Sequence, residues 1–179
     1  MPASPIPAAA IHYRVEVADL HAHLFRVTLT VAAPQPQQAL SLPVWIPGSY
    51  MVREFAKNLQ NLRATQGRRS VLVQQLDKAT WQVDAAPGKP LVLSYAVYAL
   101  DNSVRTAWLD ASRGFFNGTS LCLQVAGQET LPHTLELVST RATATWHVAT
   151  GLPPVATNTR GFGSYVADDY DSLLDHPFE

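Results

Sequence analysis

The chain has 179 residues, of which 47% are hydrophobic and 15% charged, and its formal net charge is -1. That length and composition suit one folded domain with a core of its own and exclude a disordered chain. A near-neutral chain sets up no field to hold a polyanion, which excludes nucleic acid as an expected partner.

Residues 1–10 are rich in Pro and Ala, without a basic stretch or an apolar run, and read as a disordered lead-in. Ile11, Tyr13, Val15 and Val17 then alternate with His12, Arg14 and Glu16. A period of two predicts a half-buried strand. Residues 22–31 repeat the pattern, and 18–21 would join the two strands as a hairpin. Prolines at 34 and 36 make 34–38 a loop. A third strand is predicted over 39–46, with Pro43 marking an edge or a bulge, and Pro-Gly-Ser at 47–49 breaks it. Phe55, Leu59 and Leu62 stand at helical spacing, so 54–62 is predicted as a helix of a turn or two.

Strands are predicted over 71–75, 80–83 and 91–99. Residues 101–117 read as irregular, yet they carry Trp108, Phe115 and Phe116. Further strands are predicted over 121–125, 134–139, 145–149 and 165–167, and 169–179 reads as the start of a linker. Many short strands with Pro/Gly turns predict an all-β domain over 11–168: a two-sheet antiparallel β-sandwich with one or two short helices. Each strand has one apolar face, and two sheets must meet to hide both sets.

The single cysteine, Cys122, lies between two leucines and reads as a buried, inert thiol. Lack of a disulfide framework points to the cytoplasm, with the periplasm as the alternative. No stretch supplies the roughly 20 apolar residues of a membrane helix, so no membrane partner is expected.

The six histidines are His12, His21, His23, His133, His147 and His176. None is followed by Glu and no two are four apart, so the H-E-x-x-H zinc helix is missing. His21 and His23 would share a face of an extended segment but have no third ligand nearby, and read as a solvated pair. No G-x-S-x-G elbow and no phosphate-cradling glycine loop occurs. Asp101 and Asp110 could be imagined as paired carboxylates of a glycosidase, although loop aspartates more often cap turns.

Two runs carry more chemistry than plain scaffold requires. One is WIPGSYMVREF at 45–55; the other is DNSVRTAWLD at 101–110, followed by GFFNG at 114–118. Aromatic side chains in loops beside a few polar groups make ligand or domain-contact surfaces. The other reading tucks Trp108, Phe115 and Phe116 beneath the sandwich as a satellite core.

The runs WIPGSYMVREFAKN (45–58) and SVRTAWLDASRGFFNG (103–118) resemble the glycyl aminopeptidase family of zinc metallopeptidases. KATWQV (78–83), TGLP (150–153) and YDSLLDHPFE (170–179) follow in the family's order. The resemblance implies the N-terminal β-sandwich domain of an enzyme laid out like aminopeptidase N. A thermolysin-like catalytic domain, and often a PDZ-like module, would come after it. It implies removal of N-terminal Gly or Ala from peptides by a zinc ion held in the second domain, and no catalytic residue, metal or cofactor in this chain. The expected partners are the chain's own C-terminal catalytic domain and the parent's peptide substrate.

By analogy with aminopeptidase N-like enzymes, the resemblance nominates Glu54, Asp101 and Asn117 to flank a substrate α-ammonium. Tyr50, Arg53 and Arg105 would orient it, while Trp45, Trp108, Phe115 and Phe116 would dock the catalytic domain. The alternative is a free-standing β-sandwich binding module for carbohydrate or peptide.

Overall fold

The computed structural model describes residues 10–46 and 49–179. The lead-in up to residue 9 and the Pro47-Gly48 break lie outside the described residues. In chain order the elements are β1 (Ile11–Asp19), β2 (Leu24–Val31), β3 (Gln37–Ser41), a 3-10 turn (Phe55–Asn58), β4 (Leu59–Gln66), β5 (Arg69–Val71), β6 (Val73–Gln75), β7 (Thr80–Asp84) and β8 (Leu91–Tyr98). They continue with β9 (Ala107–Leu109), β10 (Gly114–Phe116), α1 (Gly118–Leu121), β11 (Gln124–Val125), β12 (His133–Val138), a second 3-10 turn (Arg141–Thr143), β13 (Pro154–Thr157), β14 (Gly163–Ala167) and α2 (Tyr170–Asp175).

The larger sheet runs β13-β14-β12-β1-β2-β8-β4-β5, the smaller runs β11-β3-β7-β6, and β9 and β10 form a hairpin. The expected all-β sandwich is therefore what forms, except that, among the described residues, β1 runs parallel to β12. Period-two patterning explains the core. Ile11, Tyr13 and Val15 from β1, Val27 and Leu29 from β2, and Leu91, Leu93 and Tyr95 from β8 point inward. They meet Leu40, Trp81, Val83 and Val125 of the smaller sheet in one cluster. The opposite face of β1 carries charge. Glu16 accepts hydrogen bonds from Arg14 at 2.9 Å and Arg26 at 3.2 Å, and Arg14 and His12 lie 3.7 and 3.6 Å from Glu136. These pairs keep partial access to water, which screens them and limits what they contribute.

Three core tyrosines fix the strip that joins α1 to β11. Tyr95 donates to Leu121 O at 2.6 Å, Tyr170 to Cys122 O at 2.7 Å and Tyr13 to Leu123 O at 2.7 Å. The strip is fully buried, so its carbonyls have no water to turn to and need these donors. Cys122 sits in its middle as the sequence reading expected, and burial pushes its thiol well above the ordinary thiol range. Thiolate is the reactive form. Native protein is therefore expected to resist an aromatic disulfide reagent until it unfolds, and stoichiometric labelling within seconds in native buffer would contradict this placement.

Several elements differ from the sequence expectation. The helix over 54–62 is one 3-10 turn followed by strand β4. A bulge between Gln60 and Arg63, with Asn61 at a left-handed φ of 56°, inserts a residue into the pairing with β8. The bulge gives a strand the three-residue apolar spacing that a helix would show. The irregular 101–117 contains the β9–β10 hairpin. The strand over 121–125 is split between α1 and the short β11. Residues 145–149 form no strand, and β13 was missed because all four of its residues are exposed on an edge. The supposed linker 169–179 is integral to the domain. Tyr170, Leu173 and Phe178 are buried, and Phe178 exchanges both backbone hydrogen bonds with Phe116.

Candidate substrate-flanking and docking face

The loops after β3 and β8, together with α1 and α2, form one end of the domain. The described residues on either side of Pro47-Gly48 are tied to one another. Trp45 Nε1 donates to Ser49 O at 2.6 Å, Arg53 N donates to Val44 O at 2.6 Å, and Arg53 Nε donates to Ser49 Oγ at 3.2 Å. Arg53 therefore braces the loop. Its neighbour 101–106 closes through Thr106 Oγ1, which donates to Asp101 O at 2.9 Å.

Two hollows lie here. The larger, of about 710 Å³, is walled by Trp45, Arg105, Asn117, Thr119 and the α2 residues Asp171 and Asp175. The smaller, of about 290 Å³, is walled by Arg53, Glu54, Asp101 and Thr106. The fold thus divides five of the six nominated polar residues between two hollows, while Tyr50 projects fully into solvent.

Glu54 is exposed and paired with Lys78 at 2.8 Å, and that hydrogen bond and charge hold its carboxyl below the usual value. A substrate ammonium at Glu54 would have to displace or share with Lys78. Asn117 is buried (7% exposed). Its Nδ2 donates to Val104 O at 3.0 Å, and its Oδ1 accepts from the Thr119 and Ser120 hydroxyls. Both ends of that amide are occupied in joining the 101–106 loop to α1.

The nominated docking aromatics separate as well. Trp45 is 54% exposed, whereas Phe116 is 3% exposed and belongs to the core. Phe116 stacks on Phe178 at 5.2 Å and meets the edge of Phe25 at 5.4 Å. It cannot serve as a docking contact, because the hairpin alternation turns it inward. Trp108 and Phe115 are half-buried cross-strand partners on the other face. What the sequence reading missed are the exposed Val44, Met51, Val52 and Val104, and the acidic α2 wall. Met51, Val52 and Val104 lie within the two singled-out runs and Val44 directly precedes the first, but only exposure distinguishes them from core residues.

Asp110 caps the turn that follows it, as loop aspartates often do. Its Oδ1 accepts from Ser112 Oγ and Ser112 N, both at 2.7 Å, and from Arg113 N at 2.9 Å, while Oδ2 accepts from Trp108. These bonds, that of the Ser112 hydroxyl foremost, hold the carboxyl far below the usual carboxylate range. A group that acidic holds no proton to donate at neutral pH, so it could not be the acid of a carboxylate pair. His21 and His23 do not share an extended face either, since His23 turns to a left-handed φ of 57° and its Nδ1 meets Leu109 O at 2.5 Å. Among the described residues no three His, Cys or carboxylate side chains converge to hold a metal ion. The donor set that zinc needs is not found among them. No helix among the described residues is long and apolar enough to cross a membrane.

The family model for the peptidase M61 N-terminal domain matches residues 12–179. The chain belongs to this family. The M61 N-terminal domain is also similar to an aminopeptidase N family protein of Idiomarina loihiensis. Identity is 45% and the TM-score 0.91, over 94% of this chain and 28% of that one. A weaker likeness joins it to M1 zinc metallopeptidase structures from Deinococcus radiodurans. One is 15% identical with a TM-score of 0.48, over 87% of this chain and 37% of that one. No curated protein matches significantly. The M61 N-terminal domain therefore spans well under half the length of the solved proteins it resembles. The resemblance read from 45–58 and 103–118 agrees with this family.

Proposed function

We propose that this chain is the non-catalytic N-terminal domain of a zinc-dependent aminopeptidase that removes N-terminal Gly or Ala. It docks the catalytic domain with its 44–52 and 101–106 loops and flanks the substrate N-terminus with Glu54 and Asp101. The zinc, which activates water in enzymes of this kind, belongs to the catalytic domain in this reading.

The observation that carries the proposal is the exposure of Val44, Trp45, Tyr50, Met51, Val52 and Val104, from 44% to 105%, on two adjacent self-braced loops. Six of the twelve exposed large apolar side chains among the described residues gather on these two loops, and such a cluster marks an interaction surface. The loops' internal hydrogen bonds hold that surface ready without a partner. Glu54 and Asp101 line the hollow beside it, where an α-ammonium would need an anionic neighbour.

The test is a paired assay on Gly- and Ala-anilides with this chain and with the longer chain of the same gene, with and without zinc. The proposal expects activity in the longer chain alone, lost to a chelator. Trp45→Ala together with Met51→Ser should weaken domain association, and Glu54→Gln should raise KM more than it lowers kcat. Hydrolysis by this chain alone would overturn the assignment. A longer chain indifferent to all three substitutions would remove the docking and flanking roles.

A further inference from the structure

His133 opens β12 and is fully buried. Its Nδ1 lies 2.7 Å from Leu131 O, and a carbonyl can only accept, so the proton of the neutral ring sits on Nδ1. Nε2 is then a bare acceptor, and among the described residues it is the buried side-chain polar atom left without a partner. Tyr13 of β1 stacks on one side of the ring, with centroids 6.0 Å apart at 12°. Tyr170 of α2 leans on it at 5.7 Å.

Tyr170 is the anchor of α2. Its hydroxyl donates to Cys122 O at 2.7 Å and its N–H to Glu129 O at 2.8 Å. Helix α2 in turn supplies Asp171, Leu174 and Asp175 to the wall of the larger hollow. We propose that His133 is an acid-sensitive latch on α2: in mildly acid solution a proton on Nε2 undocks the helix and reshapes the larger hollow while the sandwich stays folded.

Which element moves follows from the pairing. β12 is bonded along its length to β1 on one side and β14 on the other. α2 has six residues, too few to hold a helix without its contacts. Lifting Tyr170 is thus the least costly way to bring Nε2 to water. The charged groups facing the ring are Asp169 at the start of α2 and Glu129 in the loop before β12, and both attract a proton. Tyr13 and Tyr170 face it as neutral hydroxyls, held protonated by burial.

Burial outweighs the two carboxylates and holds the docked imidazole below its ordinary value of 6.5. An undocked state exposes an ordinary imidazole and binds more protons, so the docked state loses ground as pH falls below about 6.5.

Residue-resolved amide hydrogen exchange between about pH 7.5 and 5, with NMR titration of the imidazoles, tests this; most carboxylates stay ionised over that range. Protection at Ser172 and Leu173 should fall up to about tenfold per pH unit below about 6.5, as uptake of one proton on undocking dictates. The amides of β1, β2 and β8 should keep theirs. His133→Phe keeps a ring against both tyrosines and should flatten the α2 profile. The proposal is overturned if His133 titrates at the value of an exposed histidine while α2 protection stays flat. It is equally overturned if α2 and the central strands lose protection together, or if the slope persists in H133F. Should H133F fail to fold, titration and exchange of the unsubstituted protein decide.

Discussion

Phe116→Ala is expected to lower the unfolding free energy by about 3–5 kcal/mol, the range for truncating a large aromatic in a core. Phe116 is 3% exposed, lies between Phe25 and Phe178, and its backbone bonds to Phe178 tie the tail to the β9–β10 hairpin. Removing the ring leaves a cavity that those neighbours cannot collapse into, because each is held by its own element. Urea denaturation followed by tryptophan fluorescence measures the loss as a lowered midpoint at nearly constant slope. Trp45→Ala is the control. Its side chain is 54% exposed, so its removal should cost well under about 1 kcal/mol, as surface substitutions do. Equal effects of the two substitutions would show that Phe116 does not sit where the fold places it.

Tyr95→Phe is expected to cost about 2–4 kcal/mol, although it removes a single oxygen. That oxygen donates to Leu121 O at 2.6 Å and accepts from Leu123 N at 3.3 Å. Both backbone groups belong to residues with no solvent exposure, and each buried group left unsatisfied costs about 1–3 kcal/mol. Tyr13→Phe, which frees Leu123 O alone, should cost less. The ordering is the informative result. If the Tyr95 and Tyr13 variants were both as stable as the parent protein, the tyrosines would be packing residues and would not suspend the strip behind Asn117 and Thr119. Chemical denaturation of the two variants under identical buffer conditions settles it.

Much of the candidate face could be read from the two runs at 45–58 and 103–118, because their residue types are unusual for loops and stand in a recognisable order. What those residues do in the fold could not be read. Phe115 and Phe116 are neighbours of equal hydrophobicity, and only the register of β10 against β9 sends Phe116 into the core. Asn117 looked available for a ligand until the 101–106 loop was found folded onto its amide. Glu54 and Lys78 are 24 residues apart, and the ion pair that competes for Glu54 exists only once the chain has turned back.

By itself the sequence determined the β-sandwich and most of its inner face. Alternation in β1, β2 and β8 is a local property, and a one-residue slip would expose every buried side chain at once. It also determined the buried thiol and the family, since both follow from residue identity in a short window. Tertiary structure alone decided the bulged strand at 59–66, the packing of 169–179 into the core, the parallel β1–β12 pair and the solvent exposure of Val44, Trp45, Tyr50, Met51 and Val52. Each depends on contacts between segments far apart in the chain, and no local window records which segment will arrive to cover a given side chain.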